Sequence, residues 1–153
     1  LMTYFFQQVS DSLILQLAPS VEHQSAAMLS IMKRYLWHHF SILTTMIGGH
    51  DDFIRAIRNQ VLDSIDFKYN IMDVFVIKNK TRKEIAEEIE FLKHSEVRVF
   101  LLYSTKEEGA EVMGAASDLG ITGKNYVWIV TQSSFGTVEN NAPPEFPVGM
   151  LGT

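Results

Sequence analysis

The residues best suited to chemistry follow an apolar run at 97–103. Thr105, Lys106 and Glu108 place a hydroxyl, a cation and a carboxylate within four positions, a set that could bind a polar small molecule. Thr105 and Glu108 also have the spacing of a capping box, so a helix start explains both of them. Lys106 is different, because a cation in the first turn opposes the helix dipole. Lys106 is therefore the functional hint in this segment.

A second polar segment, His50 with Asp51 and Asp52, follows the glycine pair Gly48 and Gly49. Zinc accepts these ligand types, but adjacent residues at a helix start point in different directions, so no metal site is predicted here. The glycines permit a turn from strand to helix. They lack a phosphate-binding fingerprint, and we therefore expect no nucleotide and no other cofactor.

Two further patterns bear on function. Asn79-Lys80-Thr81 is an acceptor triplet for N-glycosylation at Asn79, although Thr81 also has the position of a helix cap. The sequence contains no nucleophile elbow, no HExxH motif and no cysteine. A protein without catalytic activity is therefore predicted.

Composition narrows the class of protein. The chain has 153 residues, enough for one domain with its own core, and a net charge of −5. Nucleic acid is an unfavourable partner because phosphate binding needs a basic face. The apolar runs are far shorter than the roughly 18 residues of a membrane span. Because the chain begins with Leu1 and shows no signal peptide pattern, we expect a fragment of a longer protein.

Apolar runs alternate with helical periodicity along the chain, while residues 1–12 show no clear pattern. The predicted helices are a first one over 21–36, a second from 51 whose buried face carries Phe53, Ile57, Val61 and Ile65, a third after Thr81 and a fourth after Thr105 that stops at Gly120. The predicted strands lie at 13–18, 39–45, 71–77, 97–103 and 126–131, with a possible edge strand at 146–151.

This alternation predicts an α/β fold with a parallel sheet and helices on both faces. The simplest winding is flavodoxin-like, with the strands from 39–45 onward in the order 2-1-3-4. The winding then reverses between strands 39–45 and 97–103. Ligands of such sheets bind at this reversal, outside the carboxyl ends of the strands. The loops 46–51 and 104–108 are therefore the predicted ligand-contacting loops.

Several longer segments are distinctive in order and spacing across residues 13–152. They are Gln16-Leu17-Ala18-Pro19-Ser20-Val21-Glu22-His23-Gln24, Gly49-His50-Asp51-Asp52-Phe53, Leu101-Leu102-Tyr103-Ser104-Thr105-Lys106-Glu107-Glu108, Ile121-Thr122-Gly123, Tyr126-Val127-Trp128-Ile129-Val130 and Phe146-Pro147-Val148-Gly149. These segments resemble the extracellular amino-terminal domain of type-2 subunits of NMDA-type ionotropic glutamate receptors, particularly invertebrate ones.

The resemblance implies one lobe of a clamshell like the type I periplasmic binding proteins. Residues 1–18 would be a remnant of lobe 1, and 19–153 an incomplete lobe 2. It also implies a regulatory and assembly domain at the extracellular, postsynaptic face of the plasma membrane, which joins other receptor subunits in a hetero-oligomer and sets gating by closing. Other parts of the full-length protein would attach this domain to the membrane.

In vertebrate members of that family, the cleft or the interface between the lobes receives zinc or phenylethanolamine-type inhibitors. The residues that match the modulator region are Met46, Ile47, Thr105, Lys106 and Glu108. Zinc is implied at Lys106 and Glu108 by the resemblance alone. Two alternatives stay open: a clamshell that senses amino acids directly, and a flavodoxin-like protein that binds a small cofactor in the same crevice.

Overall fold

The helices and strands alternate along most of the chain. The computed structural model describes residues 20–131 in full, together with the backbone of the segments 5–9, 12–16 and 151–152. Within these residues the elements are β1 (Phe5–Val9), β2 (Ser12–Gln16), α1 (Val21–Arg34), β3 (His39–Thr45), α2 (His50–Asp63), β4 (Asn70–Ile77), α3 (Arg82–Ile89) with a 3-10 turn (Glu90–His94), β5 (Val99–Tyr103), α4 (Lys106–Asp118), β6 (Val127–Val130) and β7 (Leu151–Gly152).

The main sheet has the predicted winding. Its strand order is β4-β3-β5-β6-β7, and all neighbouring strands are parallel. The order 2-1-3-4 expected for β3 to β6 is therefore confirmed. β1 and β2 form a separate antiparallel pair. The sequence did not predict β1, because Phe-Phe-Gln-Gln-Val has no alternation of apolar and polar residues.

Each face of the sheet is covered by one pair of helices. On one face Phe40 and Ile42 of β3 share a core with apolar residues of α1 and α2. On the other face Leu43 of β3 lies in a core with residues of α3 and α4. The alternation along β3 follows from the period of two in a strand. β3 thus presents apolar residues to both cores, as buried parallel strands do, although Ser41, Thr44 and Thr45 are buried with them.

Among the described residues, three side chains cap helices, and those of Thr81 and Thr105 confirm the prediction from the sequence. Ser20 accepts a hydrogen bond from the His23 N–H at 3.2 Å, and Thr81 accepts one from the Glu84 N–H at 3.4 Å. The third cap, Thr105, belongs to the candidate site. Such caps satisfy N–H groups that a helix start leaves without partners, and each contributes about 1 kcal/mol.

Other predicted boundaries were wrong. α2 ends at Asp63, so Ile65 lies beyond the helix and is fully exposed at 100%, not on its buried face. α1 ends at Arg34 instead of 36, because Leu36 has a left-handed φ of 59°. Residues 17–18 of the predicted strand 13–18, and most of the possible edge strand at 146–151, lie outside the described residues.

The start of α3 is tied to the end of α4. The Arg82 guanidinium donates two hydrogen bonds of 2.6 Å to the Asp118 carboxylate, and these bonds lower the pKa of Asp118 below 3.8. Gly114 leaves the room that this side chain needs, because a Cβ there would lie 3.0 Å from Arg82 Nε. The two helices are thus held in register on their face of the sheet.

Trp128 is the largest fully buried side chain, and its removal tests the core. Its Nε1–H donates to the Ile121 carbonyl at 2.9 Å, and its ring packs on Phe100. Trp128→Phe leaves that carbonyl unpaired and a void beside it, so we expect the free energy of unfolding in urea to fall by about 2–3 kcal/mol. The control is Trp37→Phe, at a half-buried ring stacked on Tyr35, which should change stability by less than about 1 kcal/mol. Equal losses in the two variants would contradict this view of the core.

Candidate functional site

The predicted reversal of winding lies between β3 and β5. β3 and β5 are neighbours, yet the helices that follow them cover opposite faces: α2 packs on α1, and α4 packs on α3. The loops after the two strands therefore diverge and leave a crevice between them. This is the reversal of winding at which α/β sheets bind ligands.

A hydrogen bond joins the two sides of the crevice. The hydroxyl of Thr45, the last residue of β3, donates to the Glu108 carboxylate in the first turn of α4 at 2.5 Å. Thr45 is buried and Glu108 half-buried, and a bond to a charged acceptor is stronger than a neutral one. The helix dipole also favours a negative charge at this position. Glu108 thus holds the α4 start against the end of β3.

This contact corrects the capping-box prediction for Glu108. Thr105 does act as the N-cap of α4, because its hydroxyl accepts the Glu108 N–H at 3.2 Å. The Glu108 side chain, however, is directed at Thr45 and not back at the backbone of Thr105. Both side chains therefore have structural roles, which leaves less of their chemistry for a ligand.

Lys106 lies between them at the first position of α4 and is half-buried. Within residues 20–131 its ammonium has neither a hydrogen bond nor an ion pair, whereas Arg82, at the start of α3, pairs with Asp118. The fold does not explain a cation at this helix start. Lys106 is the described side chain of the crevice that is best placed to meet an anionic or carbonyl group.

Met46 and Ile47 form the other side. Met46 is 60% exposed, which is unusual for a methionine that directly follows a buried strand. The Ile47 carbonyl accepts from the His50 N–H at 3.2 Å and from His50 Nδ1 at 2.7 Å, and the second bond requires a hydrogen on Nδ1. These two bonds close the loop into a tight turn that presents Met46 to the outside.

The acidic pair after His50 has partners of its own. Asp51 lies 3.3 Å from His50 Nε2, and Asp52 pairs with Arg55 at 3.1 Å. In the part of the chain that the structure describes, no three His, Asp or Glu side chains are arranged to hold a metal ion.

Tyr103, which was not predicted as a site residue, packs against the turn between β3 and α2. Its ring stacks on Phe53 of α2 with centroids 4.7 Å apart. Gly49 has a φ of 87°, and a Cβ there would lie 3.0 Å from the Tyr103 hydroxyl. Gly49 is therefore required both for its backbone conformation and for the close approach of Tyr103. In the sequence, Gly49 indicated a special backbone position. Its partner Tyr103 lies 54 positions later, so spacing could not predict their contact.

Thr44, at the same end of β3, has a buried hydroxyl that destabilises the fold. Its side chain is fully buried, and Oγ1 has no hydrogen-bond partner among the described residues. An unpaired buried hydroxyl costs about 1–3 kcal/mol. Thr44 and Thr45 thus place two hydroxyls on opposite faces of β3, one unpaired and one bonded to Glu108.

A cavity of about 440 Å³ lies at the opposite edge of the sheet, bordered by His39, Met72, Ser95, Glu96 and Val97. These residues are at or near the amino ends of strands β3, β4 and β5. Because ligands of parallel sheets bind outside the carboxyl ends, this cavity is a weaker candidate than the crevice.

Comparison with known proteins places this arrangement in a family. The family model for the receptor family ligand binding region matches residues 3–149. The chain belongs to this family. The human glutamate receptor ionotropic, NMDA 2C is 28% identical to it over 141 residues, which are 92% of this chain and 11% of that protein. The chain therefore spans about a tenth of the length of this curated relative.

These findings confirm the resemblance to the NMDA-type receptor domain and the α/β, periplasmic-binding-protein-like class of fold. They do not test the individual crevice residues, so Met46, Ile47, Thr105, Lys106 and Glu108 stay predictions as modulator contacts. Among the described helices, none combines the length and apolar character that a membrane span requires.

The two adjacent threonines give a prediction of opposite sign. Thr44→Val keeps the shape and removes an unpaired hydroxyl, so the free energy of unfolding should rise by about 1 kcal/mol. Thr45→Val leaves the Glu108 carboxylate without its donor and should lower it by about 1.5–3 kcal/mol. Urea unfolding monitored by circular dichroism measures both, and changes of the same sign would refute the difference in pairing.

Tyr103 gives a prediction at alkaline pH. Burial raises the pKa of its hydroxyl above 10.0, and the charge of Asp52 adds to this. Because the folded state holds this proton more tightly, its contribution to stability is complete below pH 10.0 and is lost as pH rises through the raised pKa. The phenolate absorbance that Tyr103→Phe removes should therefore titrate above 10.0.

Asp52→Asn should lower that pKa, since it removes the negative neighbour, whereas Asp63→Asn at the far end of α2 should not. An absorbance midpoint at or below 10.0 in the unsubstituted protein would contradict the burial of this hydroxyl.

Proposed function

We propose that the chain is lobe 2 of a regulatory clamshell in an NMDA-type ionotropic glutamate receptor. Residues 19–153 would form lobe 2, and 1–18 would come from lobe 1. The domain would lie on the extracellular, postsynaptic face of the plasma membrane and assemble with other receptor subunits. The observation that carries the proposal is the crevice at the reversal of winding, in a chain that matches the receptor ligand-binding family over residues 3–149.

In this proposal the crevice is one wall of the cleft between the lobes. Met46, Ile47 and Lys106 would contact the opposite lobe or a modulator, because they are the crevice side chains that the fold leaves available. Thr45 and Glu108 would keep both loops at a fixed separation. Contacts made only in the closed state would shift the equilibrium between open and closed clamshells, and through it the opening of the channel.

Zinc does not fit the described part of the crevice. Zinc takes thiolate, imidazole or carboxylate ligands, and an ammonium group such as that of Lys106 offers none of them. The Glu108 carboxylate already accepts from Thr45, and His50 Nδ1 is bonded to the Ile47 carbonyl. Contacts between the lobes or with an organic modulator fit these side chains better.

Membership of the receptor family also bears on whether this domain catalyses a reaction. The crevice side chains act as caps, loop ties or exposed contacts, and none of them forms a nucleophile and base pair among the described residues. We propose a domain that works by binding and movement, without a chemical step.

Lys106→Ala in the full receptor tests the proposal. Loss of the ammonium should change the agonist-evoked open probability or its proton sensitivity by about two-fold or more, the lower end of what one residue contributes to coupling between sites. Single-channel recording at neutral and acidic pH measures both quantities.

The matched control is Lys83→Ala. Lys83 is also a lysine in the first turn of a helix, but it lies on α3, which follows the outer strand β4 and not one of the two crevice strands. It should leave gating unchanged while altering the helix dipole in the same way. Gating that is unaffected by Lys106→Ala, or equally affected by both variants, would remove this cation from the mechanism.

A second candidate is a direct sensor of amino acids, which the family description as a ligand-binding region favours. The experiment uses both lobes of the domain and measures thermal unfolding with glutamate, glycine and branched-chain amino acids. A true ligand at 100 times its dissociation constant adds about 2.7 kcal/mol of stability. A clear rise in melting temperature would favour the sensor, and none would favour the regulatory domain.

A further inference from the structure

The loop between β4 and α3 presents an unused asparagine. Asn79 lies two residues beyond the end of β4, and its side chain is exposed. The backbone N–H groups of Lys78 and Asn79 donate to the Glu88 carboxylate at 3.0 and 3.4 Å, which anchors the loop to α3. Within residues 20–131 the Asn79 side-chain amide has no hydrogen-bond partner. The loop is fixed, and its amide points to no internal acceptor.

Thr81 belongs both to the glycosylation triplet and to the helix cap, but the two roles require different side-chain chemistry. Thr81 completes the triplet Asn79-Lys80-Thr81, and its hydroxyl also caps α3 and donates to the Glu84 carboxylate at 2.6 Å. A cap needs only a side chain that accepts a hydrogen bond, so aspartate or serine would serve. The acceptor triplet needs serine or threonine. The two roles can therefore be separated by substitution.

The Asn79 loop lies at the edge of the sheet, and this position bears on what can cover the edge. β4 is the outer strand of the sheet and pairs only with β3 among the described strands. Its last residue, Ile77, lies opposite Thr45, so the Asn79 loop borders the loop that carries Met46. An open strand edge is a site for unwanted pairing, and proteins cover such edges with bulky or charged groups.

From these observations we infer that Asn79 carries an N-linked glycan, and that the corner of the sheet at the carboxyl end of β4 faces solvent in the assembled protein. The inference rests on the proposed extracellular location. In the transfer, the Asn79 amide nitrogen attacks the anomeric carbon of an oligosaccharide carried by a lipid diphosphate. A carbon–nitrogen bond replaces the carbon–oxygen bond, the lipid diphosphate leaves, and the amide loses one proton.

The glycan restricts where partners can dock. It is bulky and hydrated, so neither another subunit nor the opposite lobe can cover the carboxyl end of the β4 edge. Contacts across the clamshell then come from the crevice between β3 and β5, where Met46, Ile47 and Lys106 lie, and not from the corner at β4. This orients the cleft relative to the sheet.

The test uses the full-length receptor expressed in mammalian cells and recovered from the surface by biotinylation. Peptides are treated with N-glycosidase in heavy-oxygen water, and mass spectrometry reads heavy-oxygen deamidation at Asn79. We expect most copies to be labelled. Asn79→Gln and Thr81→Asp should abolish the label while keeping the α3 cap, and Thr81→Ser should retain both.

The outcomes separate the two proposals. Receptor that reaches the surface with Asn79 unmodified overturns the inference and leaves the proposed location intact. Receptor that stays inside the cell without glycans overturns both. A glycan at Asn79 that remains entirely of the high-mannose type on surface receptor contradicts a solvent-facing corner, because processing enzymes would not have reached it. A processed glycan supports the inference in full.

Discussion

The hydrogen bond from Thr45 to Glu108 links the end of β3 to the first turn of α4 at the carboxyl edge of the sheet. It spans 63 positions of sequence and connects a strand on which both cores depend to the first turn of a helix on one face. If it were absent, the α4 start would keep its cap at Thr105 but lose its side-chain tie to the end of β3. The separation of the crevice walls would then vary with the packing of α3 and α4. This bond therefore fixes the geometry in which Lys106 is presented.

The other wall is fixed by different means. His50 closes its loop onto the Ile47 carbonyl, and Gly49 lets the Tyr103 hydroxyl approach the backbone. Tyr103 belongs to β5, so the loop after β3 rests on a residue of the strand that feeds the opposite wall. Each wall is thus supported by the strand of the other. Such reciprocal support suits the proposed contact with a second lobe, because less free energy is then spent on ordering loops when the contact forms.

Much of the fold could be predicted from the sequence because its signals are local. Capping residues such as Ser20 and Thr81 and the buried β-branched strands act within a few positions, and the winding followed from their alternation. The errors concern longer range or weaker patterns. Ile65 has helical spacing, yet the helix ends before it, and the direction of the Glu108 side chain depends on a hydroxyl that only the folded sheet brings near. The same holds for Tyr103 beneath Gly49. Spacing could locate the crevice, but it could not show which of its side chains are already used.

Through the Thr45 and Glu108 contact, the two sides of the crevice should act as one unit. The most direct measurement is a double-mutant cycle in the full receptor, with open probability recorded for Thr45→Val, Glu108→Ala and the combined variant. If both substitutions break the same bond, the combined variant should behave like either single one, with a coupling free energy well above the roughly 0.3–0.5 kcal/mol seen for independent sites. Effects that simply add would show that the two sides of the crevice act separately, and they would contradict a coupling through this bond.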